Sequence, residues 1–100
     1  MNERKYVIVC NEHSGMFRGT LLFWGSRTED GQERSFGGYT SDIDNCEIYS
    51  ENEVKEKGYY FPKYHDGMTW EEFQGYDDIL IEPEYLEKLG YKQMRVWYKP

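Results

Sequence analysis

Apolar and polar positions divide this chain into a strand-rich first half and a helix-bearing second half. Residues 5–10, KYVIVC, are β-branched and continuous, with no polar alternation. A strand covered on both faces has this pattern, so the run predicts a buried strand. Residues 11–15, NEHSG, carry turn chemistry. Residues 16–24, MFRGTLLFW, predict a second strand pairing with the first as a hairpin, with Gly19 marking a bulge or a close backbone approach. Residues 25–35, GSRTEDGQERS, lack large apolar side chains and predict a charged loop, with Asp30-Gly31 as its tight turn.

The central stretch, residues 36–50, reads FGGYTSDIDNCEIYS. Gly37 and Gly38 permit positive φ and close backbone approach. Thr40 or Ser41 is placed to N-cap a short helical turn over residues 42–46, with Asp42 and Asp44 in its first turn. Residues 47–49 read as a short extended segment. Ser50-Glu51-Asn52-Glu53 is a capping box that predicts a helix to about residue 57, stopped by Gly58. Residues 59–67, YYFPKYHDG, broken by Pro62, predict an irregular or edge segment. Thr69-Trp70-Glu71-Glu72 is a second capping box, opening a short helix that ends near Gly75. Residues 78–82, DILIE, predict a short strand, and Pro83 starts a last helix stopped by Gly90. Residues 94–98, MRVWY, predict a closing strand. The fold class expected is α+β: one domain over residues 1–100, with a small antiparallel sheet of three to five strands and two or three short helices.

Composition narrows the picture. Aromatics reach 18% while all hydrophobic residues make up 38%, so the core is expected to be small and aromatic-heavy rather than absent. The formal charge of −7 argues against direct binding to nucleic acid or an anionic membrane, and permits a basic protein partner. Cys10 and Cys46 follow no metal or redox spacing and read as buried free thiols. The N-terminal apolar run is too short for a signal peptide, and no stretch reaches membrane-spanning length, so a cytoplasmic protein is expected.

Residues 23–25 (FWG), residues 37–50 (GGYTSDIDNCEIYS) and the helix opened by SENEV resemble a type of small accessory protein found in phages and prophages. Such proteins begin with a strand like KYVIV. They then carry an FW element and a GYT-[ST]-D-[IL] element leading into a tyrosine and a capping box. The resemblance spans residues 5–56, and the charged insert between Trp24 and Phe36 is longer here. It implies an accessory protein of a bacterial virus or mobile element, acting by binding in the host cytoplasm, with counter-defence against host immunity among the roles. It carries over no catalytic residues.

Candidate chemistry follows from the residues themselves. His13 and the pair His65-Asp66 lie in turn-like segments without a nucleophile motif, so no catalytic residues, metal site or cofactor are assigned. Asp42 and Asp44 read first as complements to a helix N-terminus. The glycine pair with Tyr39, Thr40 and Ser41, in a region that runs to Asp42, suggests a backbone cradle for an anion. Trp24, Tyr39 and Tyr49 offer rings for stacking, and Arg27 and Arg34 offer bidentate donors. Together these residues make a candidate pocket for a nucleotide-type small molecule. Glu47, Glu51, Glu53 and Glu56, with Asp77, Asp78, Glu82, Glu84 and Glu87, offer instead a carboxylate face that imitates phosphates. The leading expectation is a non-enzymatic protein that inhibits a host defence protein through an acidic and aromatic surface. The alternatives are sequestration of a nucleotide-derived immune signal and an uncharacterised enzyme. The aromatic content is also compatible with a homodimer.

Overall fold

The structure is a computed structural model that describes residues 3–14, 20–29 and 31–92. Its centre is β1 (Val7–Cys10), every residue of which is buried. This strand pairs antiparallel on one side with β4 (Asp78–Ile81), in the register Val7 to Ile81 through Cys10 to Asp78. On the other side it pairs antiparallel with β2 (Phe23–Trp24), Val9 facing Phe23. Strand β2 in turn pairs antiparallel with β3 (Tyr39–Thr40), giving a four-stranded sheet in the order β3-β2-β1-β4. With α2 (Glu51–Glu56) and α3 (Trp70–Gln74), this is the expected small α+β fold. The hairpin between the first two strands is present, but β2 is far shorter than the predicted run, whose early residues fall outside those described, Gly19 among them. The Asn11–Ser14 segment forms one helical turn, α1, where a plain turn was expected. The closing strand predicted at residues 94–98 and the Asp30 half of the Asp-Gly turn also lie outside the described residues.

The continuous apolar run of β1 is explained by cover on both faces. Val7 and Val9 enter one core with Phe23, Phe73, Ile79 and Ile81, while Ile8 enters a second core with Tyr6, Tyr49, Val54 and Leu80. Neither face of the strand meets water, so no polar alternation is needed.

Segments around the sheet follow local rules. Ser50 accepts a hydrogen bond from the Glu53 amide while the Glu53 carboxylate accepts from the Ser50 amide, so the predicted capping box is complete. Thr69 caps α3 by accepting from the Glu72 amide. The segment at Pro62–Tyr64 runs beside β4 as the expected edge piece: the Leu80 amide donates to Pro62 O and the Tyr64 amide to Leu80 O. The helix predicted from Pro83 is a 3-10 turn over Pro83–Tyr85 that continues in turns to Gly90. Among the described residues, no helix is long and apolar enough to cross a membrane.

Ser50 is itself buried, so its cap has no water to replace it. Ser50→Ala is expected to cost about 1–2 kcal/mol, lowering the thermal midpoint by about 4–8 °C for each kcal/mol. Thermal unfolding followed by circular dichroism measures it.

Candidate functional site

The charged loop of residues 26–36 is organised by one carboxylate. Glu47 has no solvent exposure. Its Oε2 accepts from the Thr28 hydroxyl and from the Ser35 amide at 3.0 Å. Its Oε1 accepts from the Ile48 amide at 3.0 Å and from Arg34 Nη1 at 3.2 Å. Burial alone would push this carboxyl above the usual range, but the bonds from Thr28, Ser35 and Ile48 more than offset it and hold it below. The sequence reading counted Glu47 in an exposed carboxylate face, and the structure corrects that. An extended segment that buries Cys46 and Tyr49 takes Glu47 inside with them.

Arg34 completes the cage. Its side chain is 4% exposed. Nη2 donates to the carbonyls of Glu29 at 2.6 Å and Gln32 at 2.9 Å, so the guanidinium closes the loop on itself. Its Nε has no hydrogen-bond partner among the described residues and stands 3.5 Å from Glu53 Oε2. Glu53 in turn takes the Arg4 guanidinium at 3.0 Å. Charges therefore alternate Arg4, Glu53, Arg34, Glu47 from the N-terminal segment through α2 to the buried carboxylate. Glu53, like Glu47, is engaged internally rather than presented on an acidic face, and its carboxyl is held down: burial opposes ionisation, and the Arg4 and Ser50 hydrogen bonds outweigh it.

The predicted site residues separate into three groups. Arg34 and Tyr49 belong to the interior. The Tyr49 ring is fully buried, its hydroxyl donates to Ser35 O, and burial pushes its phenol far up. Arg27 and Asp42 shape the turn at residues 42–46. Arg27 Nε donates to Cys46 O at 2.7 Å and Nη2 to Ile43 O at 3.1 Å. Asp42 Oδ1 accepts from the Asp44 amide at 2.9 Å, and Thr40 Oγ1 accepts from the Asp42 amide at 3.1 Å. Asp42 O also accepts from the Asn45 and Cys46 amides, each at 3.1 Å, so the single helical turn expected there closes, with the Asp42 side chain capping it in an Asx turn where Thr40 or Ser41 was expected to cap. Cys46 lies behind it, free and buried, its thiol pushed up to about 11 by that burial.

The third group is a surface. Trp24 and Tyr39, partners across β2 and β3, meet edge to face at 6.0 Å. Trp24 then contacts Tyr59 and Phe61, each at 5.3 Å, and Tyr59 stacks on Phe36 at 5.4 Å. The result is a ladder from Tyr39 through Trp24 and Tyr59 to Phe36. Tyr39 is 47% exposed and the other rings are half-buried. Gly37 and Gly38 are exposed beside it, and Gly38 uses its positive φ of 80° to turn the chain into β3. Sequence reasoning missed Tyr59, Phe61 and Phe36 as members, although their alternation around exposed Tyr60 was the available signal.

Carboxylates stand at both ends of the ladder. At the Tyr39 end, Asp78 Oδ1 accepts from Trp24 Nε1 at 3.0 Å, and the Asn11 and Glu12 amides donate to Asp77 O. Partial desolvation, then neighbouring Cys10, Asp78 and Glu12, raise the Tyr39 phenol above its usual range. At the Phe36 end a cleft of about 510 Å3 opens between the loop and α2, with Glu33 and Glu56 on its wall. Among the described residues, no three His, Cys, Asp or Glu side chains group to hold a metal ion. Comparison of the chain with family models, curated proteins and solved structures finds no match.

Gly25 lies where the loop leaves β2, at φ 77°, and a Cβ there would strike the Ser35 carbonyl and come 2.6 Å from the Tyr49 hydroxyl. Gly25→Ala is therefore expected to destabilise by more than the roughly 1 kcal/mol of a simple φ penalty. Arg34→Ala leaves Glu47 buried without its cation, a change that costs about 3–5 kcal/mol when nothing compensates. Because the folded Glu47 pKa is depressed, its contribution is present above the ordinary carboxylate range and is lost as pH falls through the folded value. Denaturant unfolding between pH 7 and pH 3 is expected to show a loss of stability that Glu47→Gln flattens.

Proposed function

We propose that this protein is a non-catalytic binding protein of a phage or mobile element, acting in the host cytoplasm to restrain a host defence protein. The observation that carries the reading is the half-open aromatic ladder from Tyr39 to Phe36 with carboxylates at each end. Protein interfaces concentrate aromatic anchors centrally and polar groups at the rim. Here the rim is acidic and the chain carries −7, so the partner is a protein with a basic contact site, such as one that grips nucleic acid.

Sequestration of a nucleotide-type molecule asks for free cations near a stacking ring. Arg34 is engaged by Glu47 and loop carbonyls, and Tyr49 has no accessible ring face. Trp24 and Tyr39 remain accessible to either kind of partner. The surface reading uses more of the molecule's exposed chemistry.

Expression in bacteria carrying active defence systems is expected to restore phage plating against one of them. Tyr39→Ala is expected to weaken target binding at least about tenfold, as loss of an aromatic anchor does, with a thermal midpoint close to the parent. Native mass spectrometry of the purified protein separates the readings: a retained small-molecule mass would favour sequestration. Rescue that is indifferent to Tyr39→Ala would remove the ladder from the account.

A further inference from the structure

We propose that the outer edge of the Pro62–Tyr64 segment pairs with the same segment of a second copy, making a two-fold dimer through one continuous sheet. The inference concerns self-association and stands whether or not the ladder meets a host protein.

The segment lies beyond β4 and ends the described sheet on that side. Pro62 O accepts from the Leu80 amide and the Tyr64 amide donates to Leu80 O, so both residues turn their backbone groups to β4. In an extended chain successive residues turn these groups to opposite sides. Those of Lys63, and of Phe61 before it, therefore point away from β4. Among the described residues, neither uses its N–H or C=O in a hydrogen bond. Such an edge templates another strand unless something blunts it, and proline and lysine are common means. Here both are turned aside. Pro62 lacks its N–H on the β4 side, so the outer edge loses no donor. Lys63 Nζ is drawn onto Glu51 Oε1 at 2.7 Å and over the Tyr6 ring. Tyr60 stands beside the edge at 79% exposure, the highest of any large hydrophobic side chain among the described residues.

Charge selects the occupant. Residues 57–65, KGYYFPKYH, hold Lys57 and Lys63 and no carboxylate, on a chain that carries −7. Two copies repel through their acidic surfaces and least through this one. A basic partner of the kind that suits the ladder would meet lysines here, so the edge fits a second copy instead. Charge also sets the register. Antiparallel pairing centred on Lys63 would place two ammonium groups directly opposite, which is unfavourable. Centred on Pro62, the pairing lets Phe61 and Lys63 exchange N–H to O=C bonds with the partner's Lys63 and the partner's Phe61. Pro62 then faces the partner's Pro62, and Tyr60 falls opposite the partner's Tyr64. This is an isologous contact, and its axis stands perpendicular to the sheet, so both aromatic ladders face the same way.

The test is sedimentation velocity of the full chain over the micromolar range, with oxidative cross-linking to fix the register. The parent is expected to reach twice the mass of one chain reversibly. Lys63→Pro, which removes an outward N–H, is expected to stay monomeric, while Lys63→Ala, which removes only the side-chain charge, still dimerises. Tyr60→Ala is expected to weaken dimerisation about tenfold, as loss of an aromatic interface anchor does. Tyr60 lies outside both cores, so this variant decides the matter if Lys63→Pro unfolds. Pro62→Cys is expected to link the two copies by a disulfide under mild oxidation, because facing residues of a non-hydrogen-bonded pair stand about 4.5 Å apart at Cα, within disulfide reach. Cys10 and Cys46 are buried and stay out of that reaction. A monomeric parent would overturn the proposal and leave the edge to a strand of another protein. A dimer indifferent to both Lys63→Pro and Tyr60→Ala would overturn it by placing the contact elsewhere. A cross-link through Lys63→Cys but not through Pro62→Cys would overturn the register.

Discussion

A carboxylate with no access to water must be surrounded by donors, because an uncompensated buried charge costs several kcal/mol. Glu47 imposes that requirement on everything near it. The loop of residues 26–36 supplies Thr28, Ser35 and Arg34, and so a segment without large apolar side chains before Phe36 acquires a fixed path. Gly25 has to be glycine because the returning loop leaves no room for a Cβ. Arg34 then pulls the Glu29 and Gln32 carbonyls inward, and its uncommitted Nε turns to Glu53 on α2. Polar chemistry does for this loop what hydrophobic burial does for the strands.

That path has a consequence for the surface. The loop delivers Phe36 onto Tyr49 at 4.8 Å and onto Tyr59, where it closes one end of the second core. This core has one short helix over it, α2, which contributes only Val54 as a buried residue. Six helical residues span roughly 9 Å, too little to cover a sheet face. The remaining cover comes from Trp24, Phe36, Tyr59 and Phe61, which are wide enough to shield Ile8 and Leu80 while keeping one side in water. The half-open ladder is thus a by-product of roofing a small sheet with rings, and it is also the feature best suited to meet another protein.

The fold was legible where its causes are local. Ser50 and Glu53 lie three apart, and the capping box they form can be read directly. The unbroken run of β1 announced two covered faces, and the structure has two cores. The candidate site was less legible because its causes are distant in sequence. Arg34 and Glu47 lie in separate segments, and a single ion pair leaves no periodic trace. What the sequence did contain was a lone carboxylate in the apolar run CEIY, next to the buried Cys46 and close to Tyr49, which is an unusual place for a solvated charge. The turn at residues 42–46 was legible but its cap was not: the Asp42 side chain takes the amide that Thr40 or Ser41 was expected to take, and Arg27, reaching in from the loop, binds the Ile43 and Cys46 carbonyls.

The internal use of cations also changes what a partner meets. Arg4, Arg34 and Lys63 are tied to Glu53, Glu47 and Glu51, and Arg27 is turned to backbone carbonyls. Each such pair removes one charge of either sign from the field outside, and the excess of −7 is left on groups such as Glu12, Glu33, Glu56, Glu71, Glu72 and Asp77, all exposed. Exposed charges act over about 8–10 Å at ordinary ionic strength, so they govern the approach and orientation of a basic protein more than the strength of the final contact. Residence depends on desolvated anchors at the centre. In the binding we propose, the two roles fall on different atoms: carboxylates at the ends of the ladder would set the encounter, and the rings between them how long it lasts.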